Sequence, residues 1–176
     1  MPETEPMPET EPMPEPDPNV APVAAITPAL LLRHWLGHRR LTRRTIQAFP
    51  DAELFGHRAK GMRPFGAIVH ELNVFMPLAV RGAATGEWSW PDGADAAPTS
   101  KKALLDAFDD ATRVLEEHLP GISSARFLEV DQPIGSREEP VISTLLYFLD
   151  NEVHHRGQGF VYLRELGIEP PAFYQR

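Results

Sequence analysis

Cysteine is absent from this chain of 176 residues. The absence excludes disulfide bonds, zinc–thiolate sites and a cysteine nucleophile, and it is typical of proteins from a reducing compartment. No apolar run approaches the ~20 residues that a membrane-spanning helix requires. The first residues also lack a basic region followed by an apolar core, so they do not resemble a secretory signal. We therefore expect a cytoplasmic protein with no membrane partner.

Basic residues are few as well, with 17 lysines and arginines against 25 acidic residues. Six of the acids lie in the first 18 residues, and removing them from the formal net charge of −8 leaves −2 for the remainder. A near-neutral remainder without a sustained basic stripe disfavours binding to nucleic acid through its phosphates.

The N-terminal segment consists of short repeats rich in proline and acid. It reads Met-Pro-Glu-Thr-Glu-Pro twice and then Met-Pro-Glu-Pro-Asp-Pro. Proline removes backbone donors and the like charges repel one another, so we expect a disordered tail over residues 1–26. The folded domain is then expected over residues 27–176.

Apolar residues recur at helical spacing in four stretches of this domain. Thr27-Pro28 and Ser100 have the side chains of helix N-caps, and Ser136 to Glu139 has the spacing of a capping box. The expected helices run from Thr27 to Phe49, from Pro64 to Arg81-Gly82, from Ser100 to Pro120 and from Pro140 to about Leu166.

Between these stretches we expect connectors and one short extended piece. Residues 50–63 and 82–99 are rich in turn residues, and residues 126–130 could be extended. Pro77 is expected to bend or shorten the second helix. The pattern predicts an all-α protein, a four-helix bundle with long connections.

The last helix carries an unusual density of groups that can bind metal, in the stretch Asp150–Gln158. Residues three or four apart share a helix face, so Glu152 projects with His155 and Asp150 with His154. Glu-x-x-His is a metal-binding spacing in helical bundles, but the same residues could form a polar network between helices. Both interpretations stay open on spacing alone. Gly157 and Gly159 indicate close approach of a neighbouring backbone.

Three further candidate histidines lie on the first and second helices. His34 and His38 are four residues apart, but Arg39 and three more arginines follow closely, which disfavours a bound dication. We place this pair on a solvated face. His70 adjoins the apolar stripe of the second helix, where it could be either a hydrogen-bonded core residue or a ligand.

The C-terminal helix resembles the signature helix of the DinB (damage-inducible) family, and the second helix with its following loop is similar to the matching part of that family. The resemblance covers residues 27–176. It rests on His154–Gln158, Val161–Arg164, Leu166-Gly167 and Glu169–Pro171, with Arg63–Gly66, His70 and Gly86–Trp88 earlier.

The resemblance implies a four-helix bundle, commonly homodimeric, with a divalent metal (nickel, zinc or iron) held by three histidines. His70 and His155 match two of them, and Asn151 stands where the third is usual. A carboxamide is a poor ligand for nickel or zinc. Either Glu152 completes a set of His70, Glu152 and His155, or the ion binds weakly, or the site has lost its metal.

Two functions follow from the resemblance. The first is a metal-dependent enzyme, a thiol-dependent transferase or a hydrolase, acting on a small molecule with a low-molecular-weight thiol as a candidate substrate. The alternative is a non-catalytic dimeric bundle in which the former metal site is a polar structural network. In either case His154 is expected to bond a neighbouring helix through Asp150, and Arg156 and Gln158 to be structural.

Overall fold

The computed structural model describes residues 25–89, 97–133 and 137–176, and within them the fold is almost entirely helical. Four long helices and one short helix follow one another along the chain. They are α1 (Pro28–Ala48), α2 (Asp51–Gly56), α3 (Phe65–Thr85), α4 (Lys101–His118) and α5 (Val141–Glu165). Both α1 and α3 pack against α4 and α5, which is the arrangement expected in a bundle. The predicted all-α class is confirmed.

Local sequence signals account for most of the helix ends. The hydroxyl of Thr27 accepts a hydrogen bond from Leu30 N, and that of Ser100 accepts one from Ala103 N, each at 3.2 Å. At α5 the N-cap is Pro140, without a side-chain cap. Ser136, the first residue of the expected capping box, lies outside the described residues, as does most of the expected N-terminal tail.

Two boundaries differ from the prediction. Residues 50–63 were expected as a connector, but they contain α2, which buries Leu54. The α3 helix continues through Pro77 to Thr85, because the apolar residues beyond the proline are buried in the core. It ends at Gly86, whose φ of 78° is the left-handed conformation that glycine adopts without steric cost.

The stretch from Arg126 to Val130 is only partly extended. It forms a 3-10 turn at Arg126–Leu128 and then the two-residue strand β1 (Val130–Asp131), antiparallel to β2 (Glu139–Pro140). Trp88, in the loop after α3, donates from Nε1 to Asp131 Oδ2 at 2.7 Å. This hydrogen bond connects the loop after α3 to β1, and the partner strand β2 leads directly into α5.

The buried apolar residues form two clusters, and a polar layer separates them along α1 and α5. One cluster contains Trp35, and the other contains Phe65. Between the apolar positions of the two clusters lie the buried polar residues His38, Arg39, Thr42, Thr45, Glu152, His155 and Arg156. Burying a polar group costs free energy unless the group is hydrogen-bonded or paired with an opposite charge. Each residue of this layer is therefore expected to have a partner.

The two glycines of α5 have different surroundings. A Cβ on Gly159 would lie 2.5 Å from the ring of Phe65, so this glycine makes room for a side chain of α3 and not for the neighbouring backbone that was predicted. A Cβ on Gly157 would meet nothing within 4 Å. The predicted close approach at Gly157 is therefore not found among residues 25–89, 97–133 and 137–176. No helix in the described residues is long and apolar enough to cross a membrane.

Candidate functional site

Glu152 lies at the centre of the polar layer and is 1% exposed. Its Oε1 accepts a hydrogen bond from Thr42 Oγ1 at 2.6 Å. Its Oε2 accepts one from Trp35 Nε1 at 3.1 Å and lies 3.4 Å from Arg39 Nη1. All three donors belong to α1. A buried carboxylate with two neutral donors and a guanidinium is well compensated, because each oxygen is hydrogen-bonded and the charge is paired.

Arg39 extends this network from α1 to α4. Its Nε donates to Thr112 Oγ1 and its Nη2 to the backbone oxygen of Phe108, both at 2.9 Å. The guanidinium carbon lies 3.4 Å from the centre of the Phe108 ring. Burial lowers the pKa of Arg39, and the charge of Glu152 acts in the opposite direction. Arg39 of α1 therefore connects the carboxylate of Glu152 on α5 to α4.

Arg156 and His38 complete the layer on its other side. Arg156 Nη1 donates to Thr42 Oγ1 at 3.1 Å, and its Nη2 lies 2.9 Å from His38 Nδ1. Burial, with the charges of Arg156 and Arg176, lowers the pKa of His38 to about 4. His38 is only 4% exposed, which corrects the prediction of a solvated face. Arg39 and Arg156 beside it are buried as well, and burial keeps the His38 ring neutral. His34 is exposed, as expected.

His155 faces a different neighbour. Its Nε2 lies 3.6 Å from Glu71 Oε1 on α3, and its Nδ1 is buried without a hydrogen-bond partner. Burial lowers the pKa of His155, although the charge of Glu71 acts to raise it. Glu71 also forms an ion pair with Arg63. The site around His155 thus joins α5 to α3, whereas Glu152 joins α5 to α1.

His70 is half-buried on α3. It lines a pocket of about 330 Å³ between α3 and α4, together with Asn73 and Asp110. Consecutive helix residues point about 100° apart, so Glu71, the next residue along, is the one directed at His155. The usual third position, Asn151, is half-buried on α5.

Of the expected metal set, Glu152 thus contacts α1, His155 lies next to Glu71 of α3, and His70 lines the pocket between α3 and α4. Across the described ranges no group of three or more histidine, cysteine, aspartate or glutamate side chains lies close enough to hold a metal ion. The oxygens of Glu152 are engaged by α1, and using them for a metal would break those bonds. The residues present do not fit a three-ligand site built on Glu152.

The remaining polar residues of the signature helix contact either their own helix or α1. His154 is exposed and its Nε2 lies 2.8 Å from Gln158 Nε2, one turn along the same helix. Among the described residues this contact lies within α5, whereas a bond to a neighbouring helix through Asp150 was expected. Arg156 is structural, as predicted, since it connects α5 to α1.

Sequence reasoning missed the α1 side of the network. Trp35 fits an apolar stripe and Arg39 fits a run of surface arginines, so neither suggests a partner for a carboxylate. A usable signal was present, because Trp35, Arg39 and Thr42 lie four and three residues apart and so share one helix face. Polar side chains on the apolar face of a helix indicate a buried partner.

Comparison with known proteins gives the family and the fold of this chain. The family model described as "DinB family" matches residues 23–176. The chain belongs to the DinB family. A DinB-like protein of Bacillus cereus ATCC 10987 superimposes with a TM-score of 0.71 at 21% identity, over 84% of this chain and 98% of that one. A DinB-like protein of Bacillus subtilis gives 0.66 at 20% identity, over 83% and 98%.

These identities support a shared fold and nothing finer. The comparison with curated proteins finds no match. The assignment to the DinB family therefore brings a fold and a family, and the function of this member must be inferred from its own residues.

Proposed function

We propose that this DinB-family protein is a non-catalytic helical bundle whose polar centre is structural and which acts through its surface as a homodimer. One observation carries the proposal: Glu152, the carboxylate expected to replace the missing histidine ligand, is 1% exposed and bonded to Trp35 and Thr42 of α1. The network uses the polar residues of the signature helix to hold three helices together.

The energetic cost of releasing Glu152 supports this function. Removing one partner of a buried ion pair typically costs about 3–5 kcal/mol, because the other charge is left uncompensated. Rotating Glu152 towards His155 would leave Arg39, itself 1% exposed, without its carboxylate. The free energy gained by coordinating Glu152 to a metal would have to exceed the cost of breaking its ion pair with Arg39.

An exposed apolar surface supports the homodimer. On α5, Tyr147, Val153 and Val161 are 56%, 38% and 54% exposed. Ile26 and Leu30 are also exposed, and with Leu146 and Leu149 of α5 they line a pocket of about 510 Å³. Gly157 lies on the exposed side of α5 with open space at its Cβ position, which would let another helix approach closely. Grouped apolar side chains of this kind are typical of protein interfaces.

A second candidate is a metal-dependent enzyme with a changed ligand set. The observation that favours it is the buried Nδ1 of His155, which has no hydrogen-bond partner, on a ring whose Nε2 lies 3.6 Å from Glu71 Oε1. An unsatisfied buried nitrogen needs an explanation, and a bound ligand would supply one. In this alternative Glu71 and His155 would hold a divalent ion such as nickel, zinc or iron, and the substrate could be a low-molecular-weight thiol.

Elemental analysis of tag-free protein separates the two candidates, before and after incubation with excess nickel, zinc or iron(II). The structural proposal expects no stoichiometric metal in the wild type or in Glu152→Gln. Metal that is retained in Glu152→Gln but lost in both Glu71→Gln and His155→Ala would favour the second candidate. Metal lost in Glu152→Gln, with helix content unchanged by circular dichroism, would restore the original three-ligand set and overturn the proposal.

A further inference from the structure

A strongly basic pocket lies on the opposite side of α1 from the Glu152 network. It has a volume of about 410 Å³, and α1 and the C-terminal segment form its walls. Its lining residues are Arg40, Arg43, Arg44, Gln47, Gln175 and Arg176. The four residues from α1 occupy positions i, i+3, i+4 and i+7, counted from Arg40. Such positions lie on one face of a helix.

Only one of the four arginines has its charge neutralised by a carboxylate within the described ranges. Arg43 donates to both oxygens of Asp109, at 2.8 and 2.9 Å. Arg40, Arg44 and Arg176 form no ion pair with any described carboxylate. Three guanidinium groups thus border one pocket without a partner of opposite charge.

The contacts that these arginines do make leave donors available. Arg44 donates from Nη2 to the backbone oxygen of Gln175, while its Nε is buried and has no hydrogen-bond partner. Arg176 Nη1 lies 3.0 Å from His38 Nε2, and the lowered pKa of His38 keeps that ring neutral at pH 7. The partners of Arg44 and Arg176 are therefore uncharged, and an anion would satisfy donors that the chain leaves open.

Guanidinium groups bind phosphate oxygens well because their planar donors match the geometry of the oxyanion. The volume of the pocket lies within the range of roughly 300–1,000 Å³ that is usual for small-molecule sites. A polynucleotide fits less well, because the acidic side of α4, with Asp109 bound to Arg43, borders the basic surface and interrupts it.

We propose that this pocket binds a phosphorylated small molecule whose phosphoryl oxygens accept hydrogen bonds from Arg40, Arg44 and Arg176. The carboxamides of Gln47 and Gln175 would contact the remainder of the ligand. The site meets the polar layer at His38, which Arg176 contacts, but it lies apart from the bonds that Glu152 makes to Trp35, Arg39 and Thr42. Its test is therefore separate from the test of the structural role proposed for Glu152.

Isothermal titration calorimetry tests the proposal on the full chain, with inorganic phosphate and pyrophosphate as probes at constant ionic strength. Both probes are expected to bind, pyrophosphate more tightly. Arg44→Gln and Arg40→Gln should each weaken binding by about 10- to 100-fold, the usual effect of losing one hydrogen bond to a charged group.

The control is Arg164→Gln on α5, an exposed arginine whose contact is with a backbone oxygen of its own helix. Its affinity should match the wild type. Arg40 is exposed, so its replacement tests the site even if Arg44→Gln fails to fold. No binding of either probe, or equal affinity in the wild type and in Arg40→Gln, would overturn the proposal.

Carboxylates of the chain itself are another source of negative oxygens. The first 18 residues contain six acids and no basic residue. A full-length variant with those acids changed to glutamine or asparagine separates the sources. Unchanged affinity for pyrophosphate supports a free phosphorylated ligand, whereas a gain of about tenfold or more would mean that the acids already occupy the pocket and would contradict it.

Discussion

Glu152 and His155 lie three residues apart on α5, yet Glu152 contacts α1 and His155 contacts α3. The Thr42 hydroxyl is 2.6 Å from Glu152, and the Glu71 carboxylate is 3.6 Å from His155. Helix positions three apart differ by about 60° around the axis. At the centre of a bundle that angle is enough to direct two side chains to different neighbours, so a shared helix face does not guarantee a shared ligand.

Replacing Glu152 with glutamine should destabilise the protein by about 3–5 kcal/mol, because Arg39 would lose its buried counter-charge. Urea unfolding followed by circular dichroism measures the change. Glu117→Gln on the exposed side of α4 is the control and should change the free energy of unfolding by less than about 0.5 kcal/mol. A similarly small effect for Glu152→Gln would show that the network contributes little to stability.

Thr42→Val should cost about 1–3 kcal/mol, since it preserves shape but removes the hydroxyl between Glu152 and Arg156. Thr45→Val is a matched control, because Thr45 is equally buried and its hydroxyl donates within its own helix to Leu41 O. The same urea experiment compares them. Equal losses for the two variants would contradict a special role for the Thr42 bridge.

Gly159→Ala should destabilise the fold by about 1–3 kcal/mol, because the added methyl would overlap the ring of Phe65. Gly157→Ala has open space around it and should instead stabilise α5 by up to about 1 kcal/mol through higher helix propensity. Thermal melts of both variants check the opposite signs. A stabilising Gly159→Ala would mean that α3 and α5 can separate without loss.

Stability should fall as the pH is lowered from about 6.5 towards 4, partly because of His38. Its pKa is lowered from 6.5 to about 4 by burial and nearby arginines, so the unfolded chain binds a proton that the folded chain does not. The stabilisation is therefore complete above pH 6.5 and is lost as the pH falls to the folded pKa. Urea unfolding at several pH values should show a shallower dependence in His38→Asn than in the wild type.

The exposed His34 provides the comparison for that experiment. His34→Asn should retain the pH dependence of the wild type. A His38→Asn profile parallel to the wild type would show that other groups, among them His155, account for the loss of stability in this range.

Val161→Glu should weaken the proposed homodimer, since it places a charge within the exposed apolar surface of α5. Light scattering after size-exclusion chromatography measures the mass. Val130→Glu, at an equally exposed valine on β1, should leave the mass unchanged. A monomeric wild type at micromolar concentration would remove the homodimer from the proposed function.

Much of the fold could be predicted because the signals are local. Thr27 and Ser100 cap their helices through bonds to residues three positions away. The C-terminal end of α3 was harder to predict from the sequence. The burial of the apolar residues after Pro77 stabilises the helix by more than the hydrogen bond lost at the proline costs. The short α2 was missed for a similar reason, since the packing of Leu54 stabilises a turn that its own sequence only weakly favours.

The all-α class, the caps of α1 and α4 and the signature residues of the DinB family could be read along the chain, because periodicity, capping and motif spacing are properties of neighbouring positions. The partners of Glu152 could not, because Trp35, Arg39 and Thr42 lie more than 100 positions away and reach it through the packing of the helices. A buried carboxylate takes the partners that the packing of the helices brings within about 3 Å, and no spacing along one helix specifies them.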